Sequence, residues 1–287
     1  MKRRKVVRQS GSVPTLEGAG VHLKRVFGHE EAPLFDPFLL LDDFHSDIPE
    51  HYLKGFPWHP HRGIETITYV IHGDVEHGDS LGNRGRIGEG DVQWMTAGSG
   101  IVHQEMPEGD SSGTLHGFQL WANLPRTQKM MEPRYRDVKS SEIPVVELDG
   151  GVKVKVVAGV VGGVKGPVGD IVIDPEYLDA SIPPGGVFEH NIPSDHNAFA
   201  YTIAGEGVFD EGSKTVGKET LVRFGEGDSV SIKAGEKGLR FLLVSGRPLN
   251  EPVAWGGPIV MNTEEELELA FEEYRKGTFL KHGKQPV

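Results

Sequence analysis

The sequence predicts an all-β protein with two β-rich halves and one helix near its C-terminus. Glycine makes up 39 of the 287 residues, about double the usual share of roughly 7%, and there are 19 prolines. With a hydrophobic fraction of 37%, this composition is typical of many short strands joined by tight turns. A repeated sequence block and a single strong helix signal, described below, favour the same class.

Composition also excludes several kinds of function. The net charge of −12 argues against a broad nucleic-acid-binding face, which needs clustered Lys and Arg. The absence of cysteine removes disulfides, thiolate catalysis and Cys-ligated zinc or iron–sulfur sites. The basic residues 2–5 are not followed by an apolar core, and no apolar run reaches the 18 or so residues of a membrane helix. We therefore expect a cytoplasmic protein that contacts neither nucleic acid nor membrane directly.

After residues 6–25, which we expect to form edge strands, the first half contains five strand-like segments. The earliest is a continuous apolar run closed by acids, which fits a buried strand, and the second is rich in Ile, Thr and Tyr. Glycine-rich turns separate the later ones. The segments run over residues 35–44, 64–71, 92–95, 101–106 and 115–121.

Two pairs of residues in this half have the spacing of metal ligands. Side chains alternate faces along a strand, so His59 and His61 point the same way, and so do His103 and Glu105. A lone histidine is more often an ordinary hydrogen-bonded residue, but two such pairs facing each other inside a barrel would offer three imidazoles and one carboxylate to one ion. This set suits a divalent first-row transition metal and leaves positions open for a substrate or O2.

Internal similarity indicates a duplication. Gly88-Glu89-Gly90-Asp91 recurs as Gly225-Glu226-Gly227-Asp228 at an offset of 137 (225 − 88), and Tyr69-Val70-Ile71-His72-Gly73 resembles Tyr201-Thr202-Ile203-Ala204-Gly205 at an offset of 132 (201 − 69). The difference falls in a hairpin, where insertions are tolerated. A chance match of short Gly-rich strings is the alternative.

On this alignment the second half lacks the ligand set. The offset of 137 places Arg240 and Leu242 at the positions of His103 and Glu105, and the offset of 132 places Asn191 and Pro193 at those of His59 and His61. His190 and His196 lie close by in sequence, which leaves a weak second site open. We expect the first half to carry the chemistry.

The C-terminal region contains the helix signal. Thr263-Glu264-Glu265-Glu266 is a capping box with acids in the first turn, and an apolar stripe follows at i, i+3, i+4 and i+7 before Gly277. We place the domains at residues 1–137, a metal-binding barrel, and 138–287, a barrel without metal plus this helix.

Residues 35 to 137 resemble the pirin family of the cupin superfamily, and the resemblance continues over nearly the whole chain. The motifs that carry it are long: Asp36-Pro37-Phe38-Leu39-Leu40, His59-Pro60-His61-Arg62-Gly63-Ile64-Glu65-Thr66, Gly90-Asp91-Val92-Gln93-Trp94-Met95-Thr96-Ala97-Gly98, Ile101-Val102-His103-Gln104-Glu105-Met106-Pro107, Gln119-Leu120-Trp121-Ala122-Asn123-Leu124, Glu132-Pro133-Arg134-Tyr135 and Gly257-Pro258-Ile259-Val260-Met261-Asn262-Thr263. The resemblance implies two tandem cupin (jelly-roll) β-barrels, one iron-type metal in the first, and a metal-free second barrel. Iron, Fe(2+), is the metal implied, and Mn, Co, Ni or Cu would accept the same ligands.

The carboxylate ligand has two candidates. The general cupin pattern takes it from a Glu shortly after His-x-His, here Glu65, whereas in pirins it looks like the residue two after the third His, here Glu105. Along a straight strand Glu65 lies roughly 13 Å beyond His61, so it reaches the metal only if Gly63 breaks the strand. We therefore assign Glu105 as ligand, and Glu65 either as a structural residue or as one that supports a ligand.

The resemblance implies a quercetin 2,3-dioxygenase activity, the O2-dependent opening of the central ring of a flavonol. In this reading Glu105 is both a metal ligand and the catalytic base, while Gln119 and Trp94 bind substrate or simply pack. Arg62 is expected to pair with an acid.

Two alternatives remain open at the level of sequence. One is a non-enzymatic, metal-dependent redox sensor that regulates through a protein partner, as is also described for pirins. The other is a different cupin reaction on an enolisable or catecholic compound.

Overall fold

The computed structural model describes residues 2–283 and is built almost entirely from strands. Within this part of the chain there are 24 strands and two α-helices, so the predicted all-β class is confirmed. Three single 3-10 turns lie at Pro49–His51, Ser140–Glu142 and Asp149–Gly151. Among the described residues no helix is long and apolar enough to cross a membrane.

The elements up to residue 138 carry the five predicted strands, now β4, β6, β9, β10 and β11. The first begins later than expected, because Phe35 ends a short helix. In order they are β1 (Val6–Gly11), β2 (Val13–Glu17), β3 (Val21–Phe27), α1 (Ala32–Phe35), β4 (Phe38–Ser46), β5 (Phe56–His61), β6 (Ile64–His72), β7 (Asp74–Asp79), β8 (Arg84–Ile87), β9 (Val92–Thr96), β10 (Ile101–Glu108), β11 (Leu115–Asn123) and β12 (Arg134–Val138).

The remaining elements form a second β-rich stretch and the C-terminal helix. They are β13 (Val145–Leu148), β14 (Val152–Ala158), β15 (Val160–Val161), β16 (Val164–Lys165), β17 (Glu176–Ile182), β18 (Val187–Asn191), β19 (Asn197–Val208), β20 (Val216–Gly217), β21 (Thr220–Phe224), β22 (Ser229–Gly246), β23 (Ala254–Gly256), β24 (Ile259–Met261) and α2 (Glu264–Arg275).

The chain folds into two units that are not contiguous in sequence. The histidine unit comprises Val13–Pro33, Phe38–Ser140 and the described part of Leu249–Val287. The second unit comprises the described part of Met1–Ser12, Leu34–Pro37 and Ser141–Pro248. This differs from the predicted division at 137/138 at both ends of the chain, for two physical reasons. β1 pairs with β21 and so belongs to the second unit, whereas α2 buries Leu267 and Ala270 against β23 and β24 of the histidine unit.

The histidine unit contains two main sheets. One has four strands in the order β5-β10-β7-β8, and the other has seven in the order β12-β9-β6-β11-β4-β3-β2. The chain passes from the first sheet to the second at Gly63, between β5 and β6. Gly63 has φ 78°, and a Cβ there would lie 2.0 Å from the carbonyl oxygen of Val260, so only glycine fits.

The second unit contains a nine-stranded sheet around an apolar core. Its strand pairing corrects the internal alignment. β19 pairs with β21 as β6 pairs with β9, and Tyr201 lies opposite Leu221 as Tyr69 lies opposite Val92. The Tyr blocks are therefore equivalent at the offset of 132, whereas Val92 corresponds to Leu221, an offset of 129 (221 − 92) rather than 137. The repeated Gly-Glu-Gly-Asp strings stand at different turns, because short Gly-rich strings recur wherever strands reverse.

The corrected register changes which residues replace the ligands. Leu242 lies opposite Tyr201 as Phe118 lies opposite Tyr69, so Arg240 and Leu242 are not the counterparts of His103 and Glu105. On β18 and β22 the pairs that face the core are Phe188 with Ile232 and His190 with Val230. Three of these four side chains are hydrocarbon, so the corresponding strands of the second unit fill the space with apolar packing.

Helix α2 begins and ends as the sequence predicts. The Thr263 side chain accepts a hydrogen bond from the Glu266 N–H, and the Glu266 carboxylate accepts one from the Thr263 N–H. Gly277, with φ 71°, follows the last turn. The buried side of the helix packs on Ile259, Met261 and Phe279.

The buried Lys129 links the turn at Gly63 to strand β24 by hydrogen bonds. It is 1% exposed, and its Nζ donates to Gly63 O (2.9 Å), Val260 O (3.0 Å) and Asn123 Oδ1 (2.6 Å). Burial lowers the pKa of Lys129 to about 7, although three acceptors favour the ammonium form. This one side chain joins the turn after His61 to the C-terminal strand β24.

Thr263→Ala should lower the free energy of unfolding of the histidine unit by about 1 kcal/mol, because it removes the cap of α2. The measurement is chemical denaturation followed by circular dichroism. Thr215→Ala, in an exposed loop of the second unit, is the control and should change little. Equal effects of the two substitutions would contradict the capping role.

Lys129 should make stability depend on pH in a defined direction. Its folded pKa of about 7 lies below the ordinary 10.5, so between these values the unfolded chain binds more protons and the free energy of unfolding rises with pH. The wild type should therefore gain stability relative to Lys129→Met between pH 7 and pH 10, by up to about 1.4 kcal/mol per pH unit. Parallel pH profiles of the two proteins, measured by urea denaturation, would show that the lysine stays charged when folded.

Candidate metal centre and its cavity

Two neighbouring strands bring the predicted histidines together. In the antiparallel pair of β5 and β10, His59 lies opposite His103, and His61 lies opposite Ile101. Residues directly opposite in such a pair point to the same face, so all three imidazoles share one face. The register shifts between His103 and Glu105, which makes the strand irregular at the point where the carboxylate leaves it.

The three imidazoles meet at their Nε2 atoms. The Nε2 of His59 is 3.0 Å from that of His61 and 3.0 Å from that of His103. His61 and His103 are each only 2% exposed, and His59 is half-buried. Among the described residues, these three histidines are a group that could hold a metal ion. Their ligand atoms all lie within 4.8 Å of one another.

Backbone carbonyls orient two of the rings. The Nδ1–H of His59 donates to Pro57 O at 2.8 Å, and the Nδ1–H of His61 donates to Pro258 O at 3.0 Å. Because a carbonyl can only accept, the proton of each neutral ring lies on Nδ1 and the Nε2 lone pair faces the other histidines. Metal-binding histidines commonly have their second nitrogen fixed in this way.

The electrostatics of the group favour a bound cation over protons. Burial, followed by the neighbouring His59, holds the pKa of His61 and of His103 well below the ordinary value. Both rings are therefore neutral near pH 7, and converging lone pairs repel each other unless a positive ion lies between them. Two nitrogens at about 2.1 Å from one ion and about 90° apart would be separated by about 3 Å, so the observed spacing fits such an ion.

Glu105 lies beside this group. Its Oε2 is 3.9 Å from the Nε2 of His103, and its Oε1 accepts a hydrogen bond from the Thr68 hydroxyl at 3.1 Å. The residue is 8% exposed, and burial raises the pKa of its carboxyl group. The structure thus brings the predicted carboxylate to the histidines, at a longer distance than the rings keep among themselves.

Glu65 has a structural role, as expected. Its carboxylate accepts hydrogen bonds from the Thr96 hydroxyl (2.6 Å) and the Trp94 indole N–H (3.1 Å), and it lies 3.9 Å from Arg134. Although Gly63 does break the strand, Glu65 is used to join β6 and β9.

The same contacts correct the prediction for Trp94. On β6 and β9 the pairs are Ile67 with Trp94 and Thr68 with Gln93, so Trp94 points to the opposite face from Thr68. Thr68 lines the cavity described next, and Trp94 does not belong to that lining in the described part of the chain. Side-chain alternation therefore turns Trp94 away from this cavity.

A cavity of about 600 Å³ opens onto the group and is bordered by His59, His61 and Glu105. Gln119 lines it, and its Oε1 lies 2.7 Å from the Thr68 hydroxyl, whose single proton is shared between this oxygen and Glu105 Oε1. Most of the wall is hydrocarbon and aromatic, including Leu23, Leu40, Phe44, Phe56, Trp121 and Trp255. Such a mixture of apolar walls and few polar groups is typical of a site for a small organic molecule.

Arg62 is paired, as the sequence suggested. It is 2% exposed, and its guanidinium lies 2.8 Å from Glu273 of α2 and donates to the carbonyl oxygens of Ser99 and Phe279. It also lies over the Phe279 ring, 4.2 Å from the centroid. The residue beside His61 is therefore fixed by the C-terminal segment and does not face a substrate.

Sequence reasoning missed several contributors to the site. Pro258 is 197 residues from His61, and no local pattern links them. The sequence analysis also did not identify Thr68, Arg25 and Asp42. For Thr68 a signal existed, because side-chain alternation along its strand places it on the same face as Thr66 and Val70.

The histidines of the second unit have other partners. His190 Nε2 lies 3.0 Å from Glu176 Oε1, and His196 Nδ1 lies 3.2 Å from the Ser245 hydroxyl. Neither joins a metal-type cluster within residues 2–283.

Comparisons with known proteins agree with this layout. Residues 20–122 match the family model described as Pirin, and residues 177–280 match the one described as Pirin C-terminal cupin domain. A pirin-like protein of Caulobacter vibrioides is 47% identical over 93% of this chain and 95% of its own length. A protein of Pseudomonas aeruginosa named as a putative quercetin 2,3-dioxygenase is 43% identical over 92% of this chain and 94% of its own.

Solved structures show the same fold. The crystal structure of a quercetin 2,3-dioxygenase from Acinetobacter baumannii superposes with a TM-score of 0.87 at 30% identity, covering 96% of this chain and 98% of that one. Both family models together span more than half of the chain, and the relatives match it nearly end to end. The chain belongs to the pirin family, with cupin-type domains.

Proposed function

We propose that this protein is a metal-dependent dioxygenase that opens the central ring of flavonols with O2, a quercetin 2,3-dioxygenase-type activity. The observation that carries the proposal is the convergence of three imidazoles, with a buried carboxylate beside them, at the wall of a largely apolar cavity. The names of the Pseudomonas and Acinetobacter proteins support the choice of substrate.

His59, His61, His103 and Glu105 would hold one divalent transition metal, and we propose Fe(2+). Three nitrogens and one carboxylate oxygen leave coordination positions free, unlike a closed structural site. When bound, the metal supplies Lewis-acid stabilisation of an oxyanion and a redox partner for O2.

Glu105 is the proposed proton acceptor. The 3-hydroxyl of a flavonol is its acidic group, and the Glu105 carboxylate takes this proton at Oε2 while Thr68 holds Oε1 by a hydrogen bond. Burial disfavours the charged carboxylate, which makes it a stronger base than an exposed glutamate. Gln119, tied to the same hydroxyl, keeps Thr68 in place.

The overall reaction balances without another reductant. Two carbon–carbon bonds to the carbon that bears the 3-hydroxyl break, and that carbon leaves as carbon monoxide with its oxygen. Both atoms of O2 end in the remaining organic product, and the proton taken by Glu105 is returned to it. The substrate supplies all the electrons that reduce O2.

The cavity wall has two roles in this proposal. Aromatic side chains such as Trp121 and Phe44 offer flat apolar surface to a planar ring system. An apolar wall also excludes water, which strengthens the electrostatic effect of Glu105 on the bound hydroxyl.

Metal analysis tests the ligand assignment. The wild type loaded with Fe(2+) should hold about one ion per chain, and His103→Ala should lower the affinity by more than the roughly 10- to 100-fold that loss of an outer partner costs. His190→Ala in the second unit is the matched control and should leave the metal content unchanged. Equal metal content in all three proteins, measured by inductively coupled plasma spectrometry, would remove the proposed site.

Glu105→Gln tests the proposed base. We expect kcat for quercetin to fall by about 100- to 10,000-fold at saturating Fe(2+), because the amide cannot accept the proton. O2 uptake is the measurement, and Glu108→Gln, a neighbouring exposed carboxylate on β10, is the control.

Iron-loaded wild-type protein that consumes no O2 with any flavonol would overturn the enzymatic proposal. That result would favour the alternative role as a metal-dependent regulator that acts through a protein partner.

A further inference from the structure

A row of polar side chains crosses the otherwise apolar wall of the cavity. Arg25 of β3 lies opposite Asp42 of β4, Asp42 lies opposite Gln119 of β11, and Gln119 lies opposite Thr68 of β6. Residues opposite each other on adjacent strands share a face, and all four line the cavity. The row therefore runs across the sheet along the cavity wall, one residue per strand.

One end of this row adjoins the candidate metal centre. Thr68 contacts Glu105 directly, through the 3.1 Å hydrogen bond to its Oε1. Asp42 stands two strands away from Thr68, and strands are about 4.8 Å apart, so Asp42 lies about 10 Å from Thr68 along the sheet. A rigid molecule of several fused or linked rings could reach both ends.

The other end is a fixed ion pair. Arg25 donates from Nε to Asp42 Oδ1 at 2.9 Å and from Nη2 to Asp42 Oδ2 at 2.8 Å, and Glu17 Oε1 lies 2.9 Å from the same Nη2. Asp42 is 3% exposed, while the Arg25 side chain keeps 30% of its surface exposed. The bonds to Asp42 and Glu17 do not use Nη1 of Arg25, and each Asp42 oxygen retains a second lone pair.

The charges of this end select the kind of group that can bind. Two carboxylates and one guanidinium give the cluster a net negative charge, which disfavours an anionic ligand group. A phenolic hydroxyl can donate to Asp42 and accept from Arg25, so it satisfies both members. A ligand without such a hydroxyl would cover the unused Nη1 and the remaining Asp42 lone pairs with hydrocarbon, in a wall that already includes Leu23, Leu40 and Phe44, and this costs affinity.

We propose that the Arg25–Asp42 pair is a second anchor of the cavity, which binds the hydroxyl groups on the ring of a polyphenol that is remote from the histidines. The inference rests on the proposed function, because it takes a flavonol as the ligand. It adds a preference within that class: hydroxylation of the remote ring governs binding.

Three flavonols test this preference. Quercetin carries two hydroxyls on the remote ring, kaempferol one and galangin none, while all three keep the 3-hydroxyl. Dissociation constants are measured by anaerobic absorbance titration of the Fe(2+)-loaded protein, so that no turnover intervenes. The wild type should bind quercetin about 10- to 100-fold more tightly than galangin, as expected for hydrogen bonds to charged groups.

Asp42→Asn should reduce this ratio to less than about threefold, mainly by weakening quercetin while galangin binding stays the same. Burial raises the pKa of Asp42 to about 6, so the position already accommodates a neutral group and the variant should fold. Arg25→Lys, which cannot form the planar fork, is a second variant with the same expected direction. The ratio would be read from Arg25→Lys if Asp42→Asn proved unstable.

The second unit offers a matched control. Arg240 and Asp179 form the same kind of fork, at 3.0 and 2.7 Å, with Asp179 also 3% exposed. Asp179→Asn should leave the quercetin-to-galangin ratio at the wild-type value. The proposal is overturned if Asp42→Asn weakens all three flavonols by the same factor, or if it leaves the ratio unchanged.

The two proposals fail differently. Discrimination in the binding titration without O2 uptake would overturn the dioxygenase proposal and leave this anchor standing. Turnover of all three flavonols with equal dissociation constants would do the reverse.

Discussion

The structure of the site depends on three imidazole rings whose Nε2 atoms converge, with the Nε2 of His59 3.0 Å from that of His61 and 3.0 Å from that of His103. Such an arrangement is electrostatically unfavourable by itself and becomes favourable once a cation is shared. The fold keeps the rings in place through the pairing of β5 with β10 and through the carbonyls of Pro57 and Pro258. The cost of this preorganisation is met by the surrounding packing and hydrogen bonds, which are extensive.

Much of that support comes from the C-terminal segment. The carbonyl of Pro258 accepts a hydrogen bond from His61, and the Lys129 ammonium donates to the carbonyls of both Val260 and Gly63. Arg62 is paired with Glu273 and donates to the carbonyl of Phe279. These contacts enclose the short stretch from His61 to Gly63 on several sides. A buried guanidinium and a buried ammonium are costly to desolvate, and each is offset here by acceptors that also fix the backbone near a ligand.

The sequence was sufficient for the parts of the site that follow from the period of a strand. The alternation of side chains predicted that His59 and His61 share a face, and spacing favoured Glu105 over Glu65; the structure brings Glu105 beside the histidines and uses Glu65 to bind Thr96 and Trp94. The prediction for Trp94 shows the limit of this rule. Alternation tells which residues of a strand share a face, but it does not tell which face meets the cavity. The offset of 137 failed because turn glycines recur without structural equivalence. Contacts such as that of Pro258 with His61 depend on tertiary packing and leave no local trace.

The order of synthesis has a consequence for the discontinuous histidine unit. A chain emerging from the ribosome completes its N-terminal segments first. His59, His61 and His103 are then all present, yet the carbonyl that orients His61 belongs to a segment made about two hundred residues later. The largest segment of the second unit, Ser141–Pro248, is translated in between. The orientation of His61 therefore waits for synthesis of the segment that carries Pro258, and a shorter nascent chain would lack this restraint on the imidazole.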